Sequence, residues 1–543
     1  MASLENRMTN PHLTLQGVSY VLPDGRTLFS ELNEHFDATP TALVGRNGVG
    51  KTVLARLLAG QLPPSSGRCL RSGRVHYLAQ QSSQAQGRTL ADLAGVQATI
   101  DALARIEAGS SALEDFDAVG DRWDIHTRLQ QELERSGLGH LTADTSAHTL
   151  SGGEAMRVAL LGAMLSDADF LILDEPSNHL DRPNRQALYA QLRRWSRGLL
   201  VVSHDRQLLE QMQRTVELSS LGLRSYGGNY AFYAQAKANE RQKAEQDLEH
   251  AKLQRQREER AMQQQRERQE RRQSRGDQHG KEGNQAKIIL DRQKEWSEAA
   301  SGKLRRQHDA AREALTDAVR EAARVVEEQT PVSLLALPVT AAAQKRVADI
   351  DIVLPHLTGA TQQVALMLSG QQRVGVVGPN GCGKSTLLKV LAGQLQPASG
   401  ECKLMVEGVY LDQQLGNLGA NRSVLAQLLD AKPGSNEADL RMRLAQLGLD
   451  AQKITAPSGV LSGGERLKAA LACVLYAEPP PQLLLLDEPS NHLDLASTQA
   501  LEATLSSYRG ALVVVSHDDA FLQALGLTHR LEASEAGWQM ESW

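Results

Sequence analysis

Two stretches decide the fold: GRNGVGKT at Gly45–Thr52 and GPNGCGKS at Gly378–Ser385. Both match the pattern GxxxxGK[ST], in which glycines let consecutive backbone N–H groups turn inward around a phosphate. An apolar, strand-like run precedes each stretch, and a helical pattern follows, so the partial positive charge of a helix N-terminus is added to the loop. The sequence therefore predicts an α/β fold with two phosphate-binding loops.

Each position of the two loops has an expected role. Lys51 and Lys384 would bridge the β- and γ-phosphates of ATP, and the hydroxyls of Thr52 and Ser385 would bind Mg²⁺. The predicted ATP contacts are the loop residues Gly45, Arg46, Asn47, Gly48, Val49, Gly50, Lys51, Thr52, Gly378, Pro379, Asn380, Gly381, Cys382, Gly383, Lys384 and Ser385.

The loops belong to an internal repeat that covers most of the 543 residues. YLAQQ and YLDQQ, LSGGE twice, LILDEPSNHLD and LLLDEPSNHLD, and VVSHD twice follow the loops in the same order. The first copy has about 20 extra residues between Gln80 and Leu150. A chain of this length exceeds one hydrophobic core. We predict two domains of one kind, at 1–230 and 331–543, with a linker at 231–330.

Two acidic pairs follow the apolar runs FLILDE and LLLLDE, which are typical of buried parallel strands. Asp174 and Asp487, at the strand ends, are expected to hold Mg²⁺. Glu175 and Glu488, one residue on, are expected to orient and polarise the water that attacks the γ-phosphate.

Histidines and glutamines complete the candidate set. His204 and His517 each follow an apolar strand and could contact the γ-phosphate, although a histidine in such a turn can also be a capping or core residue. Gln80 and Gln413 are candidate Mg²⁺ and water contacts, with an ordinary surface position as the alternative.

The segment between the copies has a different composition. From Asn229 to Arg275 it lacks Gly and Pro and is rich in Ala, Glu, Gln, Lys and Arg, which favours a long exposed helix. A Gly-rich loop at Ser274–Gln285 and a second helix to about Gln329 would make an antiparallel hairpin. Lys252–Arg306 contains 16 Lys and Arg against 9 Asp and Glu, whereas the whole chain has a net charge of −5. The hairpin is therefore basic.

Together these motifs resemble the ATP-binding-cassette superfamily, in which LSGGE opens a helix and faces the γ-phosphate bound by the opposite domain. The resemblance implies two composite ATP sites. The signature residues that would complete them are Ser151, Gly152, Gly153 and Glu154 in the first copy and Ser462, Gly463, Gly464 and Glu465 in the second.

A narrower resemblance lies in EPSNHLD at Glu175 and Glu488, together with tandem domains and a long charged linker. This looks like the ABC-F subfamily of translation factors and antibiotic-resistance proteins. The resemblance implies that the hairpin enters the ribosome at the tRNA exit site and contacts ribosomal RNA and peptidyl-tRNA. The candidate RNA contacts are Arg268, Arg271, Arg272 and Arg275. The alternative for the hairpin is a solvated helical spacer.

Other expectations concern adenine binding and the class of protein. Tyr20 could stack on adenine in the first site, and Ile352 could make an apolar contact in the second. With neither a signal peptide nor a membrane span in the sequence, we expect a cytoplasmic monomer whose two ATPase domains form an intramolecular pseudo-dimer. Two rival functions are a DNA-associated ATPase and the tandem ATPase subunit of a membrane transporter.

Overall fold

The computed structural model describes residues 11–79, 88–166, 168–282, 309–323, 325–326, 345–412, 418–447, 449, 451–491 and 493–543. The chain separates into two units, which are described one at a time. One unit contains both copies of the repeat, Met1–Ala231 and Pro331–Trp543, and the other is Phe232–Thr330.

The first copy has two sheets. An antiparallel sheet has the strand order β2-β1-β4, and a six-stranded sheet has the order β5-β6-β7-β3-β8-β9, parallel except for β9. The strands are β1 (His12–Val21), β2 (Thr27–Phe36), β3 (Thr41–Val44), β4 (Ser66–Ser72), β5 (Val75–Leu78), β6 (Phe170–Asp174), β7 (Gly198–Val202), β8 (Arg214–Ser219) and β9 (Gly222–Gly227).

The second copy repeats this arrangement, with the orders β11-β10-β13 and β14-β15-β16-β12-β17-β18. Its strands are β10 (Arg346–Val353), β11 (Gln363–Ser369), β12 (Arg373–Val377), β13 (Ser399–Leu404), β14 (Gly408–Leu411), β15 (Leu483–Asp487), β16 (Ala511–Val515), β17 (His529–Ser534) and β18 (Gly537–Ser542). The predicted α/β class and repeat are confirmed.

The strand order places the motifs together. β6, β7 and β3 are neighbours in the first sheet, as β15, β16 and β12 are in the second, and all run parallel. The carboxyl ends of parallel neighbours meet at one edge of the sheet, where ligands bind in open α/β folds. The phosphate loop, the acidic pair and the SHD turn of each copy therefore lie at one edge.

Helices of each copy pack on its six-stranded sheet and on one another. In the first copy they are α1 (Lys51–Ala59), α2 (Leu90–Leu93), α3 (Gln97–Glu107), α4 (Leu113–Val119), α5 (Ile125–Arg135), α6 (Gly152–Leu165), α7 (Arg182–Arg193) and α8 (Arg206–Leu209). In the second they are α11 (Lys384–Leu391), α12 (Val424–Ala431), α13 (Glu437–Gln446), α14 (Ala451–Thr455), α15 (Gly463–Leu475), α16 (Leu495–Ser507) and α17 (Asp519–Ala524). The first copy's extra residues contain α4.

Polar side chains fix where the helices beside the motifs begin. Ser151 and Ser462 cap α6 and α15 in reciprocal boxes with Glu154 and Glu465. Asp181 and Asp494 cap α7 and α16. Both caps of each copy come from its own motifs, LSGGE and NHLD, so the motifs also specify helix starts.

The second unit is helical wherever the structure describes it. Helix α9 (Tyr230–Glu282) is 53 residues long, and α10 covers residues 309–323. The predicted start of the loop at Ser274–Gln285 was wrong, because α9 continues to Glu282. Each helical glycine costs about 1 kcal/mol relative to alanine, and the long run of strong helix formers before Gly276 offsets this cost.

The predicted seam of the first arm agrees with the burial pattern. Ala244 is 7% exposed, and Leu248 and Ala251 are half-buried between exposed polar neighbours. Pairing of the two arms stays a prediction. In the described part of the chain, no helix is long and apolar enough to cross a bilayer.

Candidate nucleotide sites

Both phosphate loops are held in the shape that the glycines predict. Gly50 and Gly383 have φ angles of 106° and 101°, in the left-handed region that favours glycine. An added Cβ would lie 2.6 Å from Leu28 Cδ2 at Gly50 and 2.3 Å from Leu357 Cδ1 at Gly383. Alanine would therefore be strained at both positions by the backbone conformation, and the neighbouring leucine side chain would have to move.

The loop lysines are buried and tied to their own loops. Lys51 Nζ donates to the carbonyl oxygens of Gly45 at 2.8 Å and Arg46 at 3.0 Å. Lys384 Nζ does the same to Gly378 at 2.9 Å and Pro379 at 2.8 Å. Burial lowers the pKa of Lys51, an effect opposed by the nearby carboxylate of Glu175. Each ammonium thus lies at the centre of its loop.

Asp174 and Asp487 lie at the ends of β6 and β15, and each is held by a tyrosine. Tyr77 Oη donates to Asp174 Oδ2 at 3.1 Å, and Tyr410 Oη donates to Asp487 Oδ2 at 3.0 Å. Burial raises the pKa of Asp174, and a hydrogen bond with Thr52 opposes this shift.

The other oxygen of each aspartate suits a cation. Asp174 Oδ1 and Asp487 Oδ1 are buried and have no hydrogen-bond partner among the described residues. A buried anionic oxygen without a partner costs free energy, and a carboxylate beside a hydroxyl is a donor set that Mg²⁺ accepts. The arrangement in the first site, with the Thr52 hydroxyl near Asp174, therefore fits Mg²⁺. Gln80 and Gln413, also predicted as metal contacts, lie outside the described residues.

The glutamates that follow are in an unusual backbone conformation. Glu175 and Glu488 have φ angles of 50° and 49°, which non-glycine residues rarely adopt. Their N–H groups donate to Val202 O at 2.8 Å and Val515 O at 2.9 Å, on the neighbouring strands β7 and β16. Strained positions of this kind cluster at functional sites.

Each glutamate faces the histidine of its own SHD turn. His204 Nε2 lies 3.4 Å from Glu175 Oε1, and His517 Nε2 lies 3.5 Å from Glu488 Oε1. Burial raises the pKa of Glu175 to about 8 and that of Glu488 to about 7. Burial, reinforced by the loop lysine, lowers the pKa of both histidines to about 3. At neutral pH both imidazoles are uncharged, so neither contact is an ion pair.

The two copies meet head to tail through the NHLD segments. The backbone N–H of Asn47 donates to Asp494 Oδ2 at 2.9 Å, and that of Asn380 donates to Asp181 Oδ2 at 3.1 Å. Each aspartate uses its other oxygen, Oδ1, to cap its own helix. A helix start of one copy is thereby connected to the phosphate loop of the other.

A cavity adjoins each loop. The first, of about 470 Å³, is lined by the loop, the acidic pair and His204, and from the second copy by Ser490, Asn491, Leu493, Thr498 and Asp518. The second, of about 330 Å³, is lined by its loop, Asp487, Glu488 and His517, and from the first copy by His179. Arg185 also lines the first cavity and donates to the carbonyl of His517 at 3.3 Å.

The signature residues lie beside the starts of helices α7 and α16. The described residues that line the two cavities do not include Ser151 or Ser462. Gly153 packs on Asn184 of α7, and Gly464 packs beside Leu493 and Ser497, at the start of α16. Their predicted contact with the opposite nucleotide stays a prediction.

The adenine predictions do not match the cavity walls. Tyr20 is half-buried, with its ring centroid 6.3 Å from that of Phe29, whereas Leu22, Arg26 and Leu28 line the first cavity. Ile352 is 1% exposed, so its side chain is in the core, and Leu357 lines the second cavity. Stacking of Tyr20 on adenine stays a prediction, whereas the buried side chain of Ile352 is not accessible to a ligand.

The predicted RNA contacts lie on α9. Arg268 and Arg271 are exposed, and Arg272 and Arg275 belong to the same helix, although their side chains lie outside the described part.

Sequence reasoning missed Tyr77, Tyr410, Asp181 and Asp494. All four lie within repeated motifs, YLAQQ/YLDQQ and NHLD. Their recurrence in both copies could have marked them as candidate functional residues. Their roles depend on contacts with a neighbouring strand or with the other copy, which one sequence does not reveal.

Comparisons with known proteins agree with this geometry. The family described as ABC transporter matches residues 36–178 and 361–491. The tylosin resistance ATP-binding protein TlrC of Streptomyces fradiae is 31% identical over 93% of this chain and 94% of its own. The energy-dependent translational throttle protein EttA of Mycobacterium tuberculosis is 30% identical over 91% and 87%, respectively.

Two further similarities bear on subfamily and fold. ABC transporter F family member 5 of Arabidopsis thaliana is 27% identical over 89% of this chain and 69% of its own. The solved structure of the RNase-L inhibitor has a TM-score of 0.58 and 18% identity, covering 97% of this chain and 90% of that one. The tandem fold is therefore one already seen in a solved protein.

Proposed function

The chain belongs to the ABC-F subfamily of the ATP-binding-cassette family and is an ATPase, and from this premise we propose that it acts on the ribosome. Its task would be to alter translation or the effect of ribosome-targeting antibiotics. Relatives named for tylosin resistance and for translational throttling support both forms of this role.

The observation that carries the proposal is helix α9. It is 53 residues long, and Arg268 and Arg271 are exposed on it. Phosphate contacts supply most non-specific affinity for RNA, and basic side chains on a helix can make them. In the proposal, Arg268, Arg271, Arg272 and Arg275 contact ribosomal RNA at the tRNA exit site, near peptidyl-tRNA. The protein works as a cytoplasmic monomer.

The chemistry proposed at each site is attack of water on the γ-phosphate. The loop N–H groups and Lys51 or Lys384 bind the phosphates, while Thr52 with Asp174, or Ser385 with Asp487, would hold Mg²⁺. That ion supplies charge stabilisation for the transferred phosphoryl group. Glu175 and Glu488 position the water and accept its proton, and the neutral imidazoles of His204 and His517 donate a hydrogen bond towards the γ-phosphate.

We assign separate roles to the two ATPase domains, 1–230 and 331–543, and to the linker, 231–330. Binding of ATP would bring LSGGE of one domain, Ser151–Glu154 or Ser462–Glu465, against the nucleotide of the other. Asp181 and Asp494 already bond to the opposite loop. Closure would stabilise the ribosome-bound state, and hydrolysis would permit release.

Co-sedimentation with purified ribosomes tests this function. The Glu175→Gln, Glu488→Gln protein, which binds ATP without rapid turnover, should pellet with ribosomes in ATP and much less in ADP. The same experiment with duplex DNA in place of ribosomes tests the rival function, that of a DNA-associated ATPase. Failure to pellet in ATP, or a preference for DNA, would refute the ribosomal role and leave the ATPase unaffected.

A further inference from the structure

The same tyrosine–aspartate contact occurs in both nucleotide sites. Tyr77 lies on β5 and Asp174 ends β6, its parallel neighbour; Tyr410 on β14 and Asp487 at the end of β15 repeat this. The two O···O distances are 3.1 and 3.0 Å. The segments that join tyrosine to aspartate differ by the inserted α4 region, yet the contact is unchanged.

The contact leaves the two oxygens of each aspartate in different states. The tyrosine hydroxyl, a neutral donor, bonds to Oδ2. Oδ1 is buried and has no hydrogen-bond partner among the described residues, in both sites. A carboxylate rotates about its Cβ–Cγ bond unless one oxygen is held. With Oδ2 held, Oδ1 stays directed away from the tyrosine and available to a cation or to its water.

The rings have a separate role that phenylalanine would keep. Tyr410 is buried in the apolar core of the second copy, and Tyr77 packs against that of the first. Removing only the hydroxyl therefore tests the polar contact without removing the packing.

We infer that Tyr77 and Tyr410 are positioning residues for Mg²⁺, holding Asp174 and Asp487 so that Oδ1 serves the ion. The inference deepens the proposed ATP chemistry and rests on it. Partners that orient a metal ligand typically contribute 10- to 100-fold in metal affinity. Each tyrosine should therefore affect metal-dependent binding at its own site.

The test is a metal titration of nucleotide binding that does not depend on turnover. Tyr77→Phe and Tyr410→Phe are introduced together into the Glu175→Gln, Glu488→Gln protein, and binding of a fluorescent ATP analogue is followed against Mg²⁺ and Mn²⁺. The metal concentration for half-maximal binding should rise about tenfold. Binding in excess EDTA should not change. In each single Tyr→Phe variant, about half of the binding signal should require the higher metal concentration, because only one of the two sites is changed.

Tyr226→Phe is the matched control, because Tyr226 Oη also donates to a carboxylate, Glu217 Oε2 at 3.3 Å, between β9 and β8. It should leave the metal dependence unchanged. The inference is overturned if the double Tyr→Phe protein titrates like its parent, or if EDTA-resistant binding falls equally. Absence of any metal-dependent ATP binding in the parent would instead refute the nucleotide site itself.

Discussion

At the scale of single residues, the glutamates after β6 and β15 combine backbone strain with burial. Glu175 and Glu488 have φ near 50°, and burial raises the pKa of both side chains. Positive φ directs each carboxyl towards its histidine and cavity at a cost of about 1–3 kcal/mol. Such a cost fits a position where side-chain placement matters more than stability.

Replacing both glutamates by glutamine should abolish proton acceptance while keeping shape. We expect Glu175→Gln, Glu488→Gln to lower ATP turnover about a hundredfold or more, with ATP binding intact. Phosphate release and equilibrium binding measure the two effects. Glu31→Gln is the control, because Glu31 also has positive φ, 52°, but is exposed on β2. Near-normal turnover in the double variant would remove both glutamates from the catalytic role.

The positions of the motif residues in the fold could be predicted from the sequence. Phosphate loops and acidic strand ends occur at few places in an α/β fold. Tyr20 shows the limit. An aromatic residue ahead of the loop is compatible with adenine stacking, but packing against Phe29 depends on the register of β1 and β2. That register is fixed by the whole sheet rather than by the local sequence.

At the scale of helices, α7 and α16 link the two nucleotide sites. Asp181 Oδ1 caps α7 while Oδ2 accepts from Asn380 N–H, and Asp494 does the same for α16 and Asn47. One side chain therefore connects each helix start with the opposite phosphate loop.

Asparagine at these caps should separate the two roles. Its carbonyl oxygen can still cap the helix, but its NH₂ group cannot accept from the loop N–H. We expect Asp181→Asn to weaken nucleotide trapping at the Lys384 loop, and Asp494→Asn at the Lys51 loop, by about tenfold. Photolabelling with an azido-ATP and mapping the labelled copy measures this. Weakening of the variant's own loop would contradict the head-to-tail contact.

Ser423→Ala controls for loss of a helix cap alone, since Ser423 caps α12 and lines neither cavity among the described residues. It should leave trapping at both loops unchanged.

The helices of the second unit show what composition can and cannot determine. A run without Gly or Pro predicted α9, but its end was placed too early, because Gly276 and Gly280 were taken as loop formers. Propagation adds a hydrogen bond per residue once a helix exists, so isolated glycines do not stop it.

In the molecule as a whole, Arg206 of the first copy and Glu502 of the second form an ion pair that joins the copies. Arg206 Nη1 lies 2.9 Å from Glu502 Oε1, and Nη2 donates to Oε2 at 3.2 Å. Burial raises the pKa of Glu502 despite the attraction of Arg206. The pKa of Arg206 is raised as well, because its own desolvation is outweighed by its hydrogen bond with Glu502 and by nearby negative charge.

Removing one partner should therefore be worse than removing both. We expect Glu502→Leu to destabilise the protein by about 3–5 kcal/mol, because the half-buried Arg206 loses its carboxylate partner. Arg206→Leu with Glu502→Leu should recover most of the loss. Calorimetric melting measures both. Asp430→Leu, which breaks the exposed pair with Arg422, should cost less than about 1 kcal/mol. If the two single substitutions destabilise the protein additively in the double variant, Arg206 and Glu502 are not energetically coupled.

The second unit contains a concentration of positive charge. Lys252–Arg306 has an excess of seven positive charges by its 16 basic and 9 acidic residues, while the chain as a whole is negative. Because the remainder of the protein has a net negative charge, we expect this segment to contribute much of the attraction to RNA. Changing Arg268, Arg271, Arg272 and Arg275 to Glu in the Glu175→Gln, Glu488→Gln protein should weaken ribosome binding. It should also flatten the salt dependence, because fewer counterions are released. ATP binding should not change, since the four arginines belong to the second unit and to neither copy of the repeat. Co-sedimentation across a salt series measures this.

Changing Arg422, Arg441 and Arg443 of the second copy to Glu is the control for reversed charge elsewhere. Equal ribosome binding before and after reversal on α9 would show that the helix does not supply the RNA contact.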